Sequence, residues 1–213
     1  MPCHGDAQDE ADARLVVDHF ELPSLRIDLS PTIDVLAEDL IDALHHVPAD
    51  QRLAPAVEDE GRERSSIDVR ARSAMANVKP RLRMTALYFL ANSLGYLVAG
   101  TGNRCELAVG YFTKHGDGGV DLLPIGELLK SDVRAAARAL GVPAAVIEKT
   151  PSAGLWPGQT DEADLGFSYA ALERYLTDGP EAVAPALAMR LERLMRQSEH
   201  KRAMPPRHPE PRS

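Results

Sequence analysis

The chain has 213 residues, enough to bury one full-sized core, and its hydrophobic (44%) and charged (26%) fractions exclude a largely disordered polypeptide. Its 24 basic and 32 acidic residues leave a net charge of -8, which argues against general attraction to nucleic acid or anionic lipid, so any anionic ligand must be held by a local cluster. The N-terminus, MPCHGDAQDEADARL, carries acids where a secretory leader has basic residues, and no apolar run approaches a membrane span, so a cytoplasmic protein is expected.

In chain order, Ala11, Leu15, Val16 and Phe20 recur at helical spacing, predicting a helix from Asp9 to Phe20; SLRIDLS then has the alternation of a strand. Pro31 opens a second helix, to His46. The polar stretch PADQRLAPAVEDEGRERSS reads as a connection. The longest helical pattern spans Ile67 to Leu94, with Asn77 placed to cap a restart before Pro80 and with Met84, Leu87, Tyr88 and Ala91 on one face. That face is read either as core or as a subunit interface. GYLVAG predicts a buried strand ending at Gly100, and the glycine-rich stretch GTGNRCELAVGYFTKHGDGGVD follows as its loop. KSDVRAAARAL is an amphipathic helix stopped by Gly141, and the irregular segment from Pro143 to Phe167, with the chain's one Trp, suggests a lid or binding loop. Helices from Ser168 to Leu176 and from Pro180 to Arg196 complete the pattern. Strands alternating with helices predict the α/β class.

Glycines after a strand let backbone amides approach phosphate oxygens, and a nearby carboxylate can hold the magnesium that neutralises them. Glu106 is placed for that metal role, Lys114 and Lys130 add positive charge, and Thr101 and Ser152 add hydroxyls. Each has a plainer reading: a glycine-rich loop by itself marks turns, the lysines are solvated charges, Asp121 is a turn or cap residue, and His200 with Lys201 is a basic helix end. Arg81 and Arg83, two apart on a helix, point to different faces, so at most one serves a site. Cys3 and Cys105 fit neither a metal spacing nor a disulfide framework, and Cys3 with His4 is an incidental chelating pair.

The stretches NVKPRLRM, GTGNRCE, GYFTKHGDGGVD, LPIGELLKSDVR, KTPSAGLWPGQTDE and SEHKR, in this order and spacing, resemble the ammonia-dependent NAD synthetases, N-type ATP pyrophosphatases, across nearly the whole chain. The resemblance implies a Rossmann-like parallel sheet with helices on both faces (adenine nucleotide alpha hydrolase-like), truncated at its N-terminus. Residues 1–203 would be the synthetase domain and 204–213 a proline-rich flexible tail. It implies that the carboxylate of deamido-NAD is adenylated by ATP, with release of pyrophosphate, and that ammonia then displaces AMP to give NAD. Carried over position by position, Thr101, Lys130 and Ser152 fall where the family contacts ATP and Glu106 where it ligates Mg2+. Arg81, Lys114, Asp121, His200 and Lys201 fall where it holds deamido-NAD. A homodimer is implied, with free ammonia as nitrogen donor and a separate glutaminase subunit left open as its source; the segment from Pro151 to Glu162 corresponds to the family's mobile cover.

The sequence departs from the pattern at Cys105, where serine is usual, at Pro80 for alanine and at Ala76 for glycine. The family's SGGxDS pyrophosphate loop is not found in it; DGGVD (Asp117–Asp121) imitates that loop without its serines and falls in the substrate-binding element. MPCHGDAQDEADA resembles the family segment after the first helix, so the expectation is a chain that starts inside the domain, poorly stable alone and inactive as a synthetase. The alternative expectation is a catalytically inactive homologue that still binds deamido-NAD and dimerises.

Overall fold

Local capping and apolar spacing place the helices of this computed structural model, which describes residues 1–48, 51, 66–155 and 158–207, the side chains of 66–72 aside. In chain order they are α1 (Ala7–His19), α2 (Ser30–His45), α3 (Ser66–Leu94), α4 (Arg104–Val109), α5 (Lys130–Ala139), α6 (Ala144–Ile147), α7 (Asp161–Leu165), α8 (Tyr169–Asp178), α9 (Pro185–Gln197) and α10 (Glu199–Arg202), with a 3-10 turn over Pro180–Ala182 before α9. The Asp6 carboxylate accepts from the Gln8 amide to start α1, Pro31 stands in the first turn of α2, and Ser168 accepts from the Ala171 amide to start α8. These helices lie where apolar periodicity predicts them. The connection predicted from Pro48 to Ser66 falls mostly outside the described residues, as do Trp156, Pro157 and residues 208–213.

The described residues divide into two compact units, one comprising Met1–Tyr96 with Pro143–Thr160, the other Leu97–Val142 with Asp161–Ser213. In the first unit Cys3, Leu29 and Ile33 form a small core, with Met1, Ile27, Val78 and Leu82 packed on it. The predicted strand SLRIDLS is not paired in a sheet: it runs without regular structure into α2, and the Leu29 amide donates to the Pro2 carbonyl at 2.9 Å. Its alternation reports one buried side, Ile27 and Leu29 inward and Leu25 exposed, and a buried side alone does not supply a ladder partner. His4 Nε2 lies 2.6 Å from the Asp34 carboxylate while Cys3 is fully buried, so the pair at the N-terminus is divided between packing and an exposed contact.

Helix α3 corrects the expected restart. It runs unbroken through Pro80, and Asn77, rather than capping a new helix, donates from its side chain to the Ser73 carbonyl one turn back at 3.0 Å. Proline inside a helix removes the bond to the carbonyl four residues before it, here that of Ala76, and length with packing offsets the loss. Pro80→Ala is expected to raise stability by about 1–2 kcal/mol, read as a higher urea midpoint at unchanged slope. On the predicted apolar face Ala91 is buried, whereas Leu87, Phe89 and Leu94 are exposed.

In the second unit Cys105 and Val109 of α4 pack with Leu165, Phe167, Tyr169 and Leu172 and with Leu191 of α9. Leu172 and Leu191 are fully buried, each worth about 2–3 kcal/mol of transfer free energy. The segment Gly100–Asp121, read from sequence as a loop, contains α4. Asn103 accepts from the Glu106 amide at 3.1 Å, the Glu106 carboxylate accepts from the Asn103 amide at 3.0 Å, and Gly110, with φ 71°, ends the helix. The irregular segment from Pro143 to Phe167 likewise holds α6 and α7. Among the described residues the predicted strand GYLVAG is reduced to one parallel bridge, Ala99 with Leu122. Around it Gly100 donates to the Leu122 carbonyl (2.8 Å) and Asp121 to that of Val98 (2.9 Å).

Candidate functional site

Seven of the residues singled out in the sequence lie in the second unit and two, Arg81 and Ser152, in the first. The bridge at Ala99 delivers Gly100 into a tight place: a Cβ there would stand 2.8 Å from side-chain atoms of both Leu123 and Val120, so the strand end is open only to glycine. Thr101 follows, exposed, and the chain then turns into α4.

Glu106 and Lys130 meet. The lysine, at the first position of α5, donates from Nζ to Glu106 Oε1 at 2.9 Å, and the two side chains are 20% and 16% exposed. Because Glu106 Oε2 accepts from the Asn103 amide, both carboxylate oxygens are engaged, one in starting the helix and one in fixing the lysine. Lys130 Nζ also lies 5.1 Å from the centre of the Tyr169 ring. The Tyr169 hydroxyl donates to Asp161 Oδ2 at 2.7 Å, and the Tyr111 hydroxyl donates to Asp164 Oδ2 at 2.9 Å. Burial is the main force holding the Asp161 carboxyl above its ordinary range, with the negative charge of Glu106 acting the same way and the Tyr169 hydrogen bond and Lys130 opposing. Burial, then hydrogen bonding to the carboxylates, also pushes both phenols well above theirs.

A second group forms where α10 returns on the end of α4. Lys201 Nζ donates to the carbonyls of Gly110 and Phe112, each at 2.8 Å, and stands 5.4 Å from the Phe112 ring centre. Burial pushes its ammonium below the usual lysine range, against the opposing charge of Asp117. Lys114 donates to the His200 carbonyl, the His200 ring Nδ1 lies 3.0 Å from the Gln197 carbonyl, and Arg202 donates to the carbonyls of Leu107 and Met195. Lys114, His200 and Lys201, far apart in sequence, are therefore neighbours. Asp121 stands apart from them as a cap: its carboxylate accepts from the Val98 amide at 2.7 Å.

In the first unit Arg81 and Arg83 part as their spacing predicts. Arg83 Nε donates to the Met1 carbonyl at 3.0 Å, and Arg81 is exposed. Ser152 is exposed and its hydroxyl accepts from the Gly154 amide at 3.1 Å, a local turn. The segment around it is strapped down by Lys149, which donates to Asp9 at 2.7 Å and to Asp12, and by Lys79, which donates to the Leu155 carbonyl at 3.1 Å.

Asp161, Tyr169, Tyr111 and Asp164 were not singled out by sequence reasoning. Asp161 lies inside the matched stretch KTPSAGLWPGQTDE, which was the available signal; the tyrosines are indistinguishable in sequence from core aromatics. No group of three or more His, Cys, Asp or Glu side chains among the described residues is arranged to hold a metal ion. Glu106 alone offers a carboxylate beside a lysine, a donor set that fits a magnesium ion arriving with nucleotide phosphates, since such ions keep most of their water. Among the described residues no helix is long and apolar enough to cross a membrane.

Comparison with known proteins gives these clusters a context. The chain is 44% identical over 205 residues to an NH(3)-dependent NAD(+) synthetase of Carboxydothermus hydrogenoformans, an alignment covering 96% of this chain and 74% of the relative. Among solved structures, an NMN synthetase from Francisella tularensis superimposes with a TM-score of 0.78 at 31% identity, covering 96% of this chain and 74% of that one. An NH3-dependent NAD synthetase from Campylobacter jejuni shares the fold, with a TM-score of 0.67 at 22% identity over 98% of this chain and 76% of that one. The NAD synthase family model matches residues 1–205, a span that takes in every cluster above, and the chain accordingly belongs to the NAD synthase family.

Proposed function

We propose that this protein makes NAD by amidating deamido-NAD with ammonia at the expense of ATP, the activity named for its relatives. A carboxylate resists attack by an amine because its oxygen is a poor leaving group. Transfer of an adenylyl group from ATP makes that oxygen part of AMP, with pyrophosphate leaving; ammonia then adds to the acyl carbon and AMP departs. The protein's part is to position reactants and to meet the charge that grows on phosphoryl and pyrophosphate oxygens.

The single observation that carries the assignment of roles is the half-buried Glu106–Lys130 pair beside the exposed Thr101. In this reading Lys130 and Thr101, with Ser152, hold ATP. Glu106 holds Mg2+, which when bound neutralises phosphate oxygens. The Lys114–His200–Lys201 group, with Arg81 and Asp121, holds deamido-NAD. Lys201 uses donors on two carbonyls and keeps one for a substrate oxygen. We further propose that the Ala99–Leu122 bridge belongs to a parallel sheet with helices on both faces, that residues 1–203 act as one synthetase domain, and that the exposed Leu87, Phe89 and Leu94 of α3 pack on a second copy.

The test is direct. Purified chain, ATP, Mg2+, deamido-NAD and ammonium chloride should yield NAD, AMP and pyrophosphate in equal amounts by chromatography, with glutamine unable to replace ammonium and nicotinic acid mononucleotide a poorer acceptor. Tight binding of deamido-NAD without any NAD would overturn the catalytic reading and favour the inactive homologue.

A further inference from the structure

Asp161 is the least satisfied polar group in the second unit. The residue is 4% exposed, its Oδ2 is occupied by the Tyr169 hydroxyl, and its Oδ1 is buried with no hydrogen-bond partner. A buried carboxylate oxygen without a donor is costly and uncommon, so such an atom marks a place where something else binds.

The surroundings narrow what that is. Every donor named nearby is already committed: Tyr169 to Asp161 itself, Tyr111 to Asp164, and Lys130 to Glu106. The ligand must therefore bring its own hydrogens. Glu106, Asp161 and Asp164 outweigh the one cation, Lys130, so a positive ligand is favoured over a neutral or negative one. The oxygen is so enclosed that only a species of about the size of a water molecule can reach it. A small cation carrying several N–H donors meets all three conditions, and ammonium is that cation.

We propose that Asp161 Oδ1 binds the ammonium that supplies nitrogen to the reaction, next to the Glu106–Lys130 pair. Asp161 then acts as the residue that selects and positions the nitrogen donor, while Tyr169, by holding the other oxygen, fixes the carboxylate's orientation. This inference rests on the amidation reading above.

Thermal unfolding of the full chain in ammonium, potassium or sodium chloride at equal ionic strength tests the site without turnover. At about ten times the dissociation constant, ammonium is expected to raise the midpoint by about 3 °C over the other two salts, and Asp161→Asn to abolish the difference. Should that variant lose cooperative unfolding, Asp161→Ser carries the same comparison. Tyr169→Phe, which keeps the carboxylate, should retain the ammonium response. In the NAD assay Asp161→Asn should raise KM for ammonium by about tenfold or more while KM for ATP changes by less than about twofold. An equal midpoint in the three salts, an equal response to potassium (an adventitious monovalent cation only), an unaltered response in Asp161→Asn, or a KM effect confined to ATP or deamido-NAD would each overturn the site. Absence of NAD synthesis alongside an Asp161-dependent ammonium response would sink the amidation reading and leave the cation site standing.

Discussion

Replacing Glu106 by glutamine is expected to lower turnover about a hundredfold while leaving the fold nearly as stable, because the amide keeps shape and acceptor but loses the charge. The isostere is needed because Glu106 has two structural tasks: it accepts from the Asn103 amide and pairs with Lys130 at 2.9 Å. Alanine removes both, at a cost of about 1 kcal/mol for the cap and about 1–2 kcal/mol for leaving Lys130 without its partner. A slow Glu106→Ala enzyme could thus be slow because α4 has frayed. Glu106→Gln separates the effects: the Asn103 amide can still be met by the side-chain oxygen, and what disappears is the negative charge facing Mg2+ and Lys130. The apparent requirement for Mg2+ should move to higher concentration, and the urea midpoint should fall only slightly. An unaltered rate in the glutamine variant would remove Glu106 from the chemistry and leave it as a cap.

Gly110→Ala should unfold at markedly lower urea, with a loss of about 3 kcal/mol, and should raise KM for deamido-NAD. Gly110 has φ 71°, and a Cβ there would stand 2.1 Å from Ser198 Cβ and 2.5 Å from its Oγ. Ser198 joins α9 to α10, so relief of the clash must push away the segment carrying His200 and Lys201. That segment is held by Lys201 on the Gly110 and Phe112 carbonyls and by Lys114 on the His200 carbonyl. Two contributions are separable. Adding Ser198→Gly removes the Cβ partner of the clash and should recover most of the loss, leaving about 1 kcal/mol of left-handed backbone strain. If the double variant is no better than the single one, the close approach of α4 to the α9–α10 junction is not the cause.

Helix positions were largely legible because each depends on neighbours within a few residues: apolar spacing, Asp6 and Ser168 as caps, and Pro31 in a first turn. The same local information was present for α4 in Asn103 and Glu106, a capping box hidden by the surrounding glycines. Asn77 and Pro80 misled for the opposite reason: a local signal for a break was overridden by the length and packing of α3, which no window of sequence contains. SLRIDLS has the alternation of a strand, but alternation reports a buried side and cannot report whether another segment lies alongside.

The sequence by itself determined the family, through motifs whose order and spacing survive over nearly the whole chain, and with it the identity of the charged residues from Thr101 to Lys201 as candidates. Only the tertiary structure decided what each of them touches. Glu106 finds Lys130, Lys201 finds the end of α4, Asp121 turns to the Val98 amide, and Asp161 keeps one buried oxygen without a donor. A motif fixes which groups are present, whereas pairing and burial depend on chain segments that meet only after folding, and burial sets both the strength of a charge pair and the penalty of an unmet acceptor.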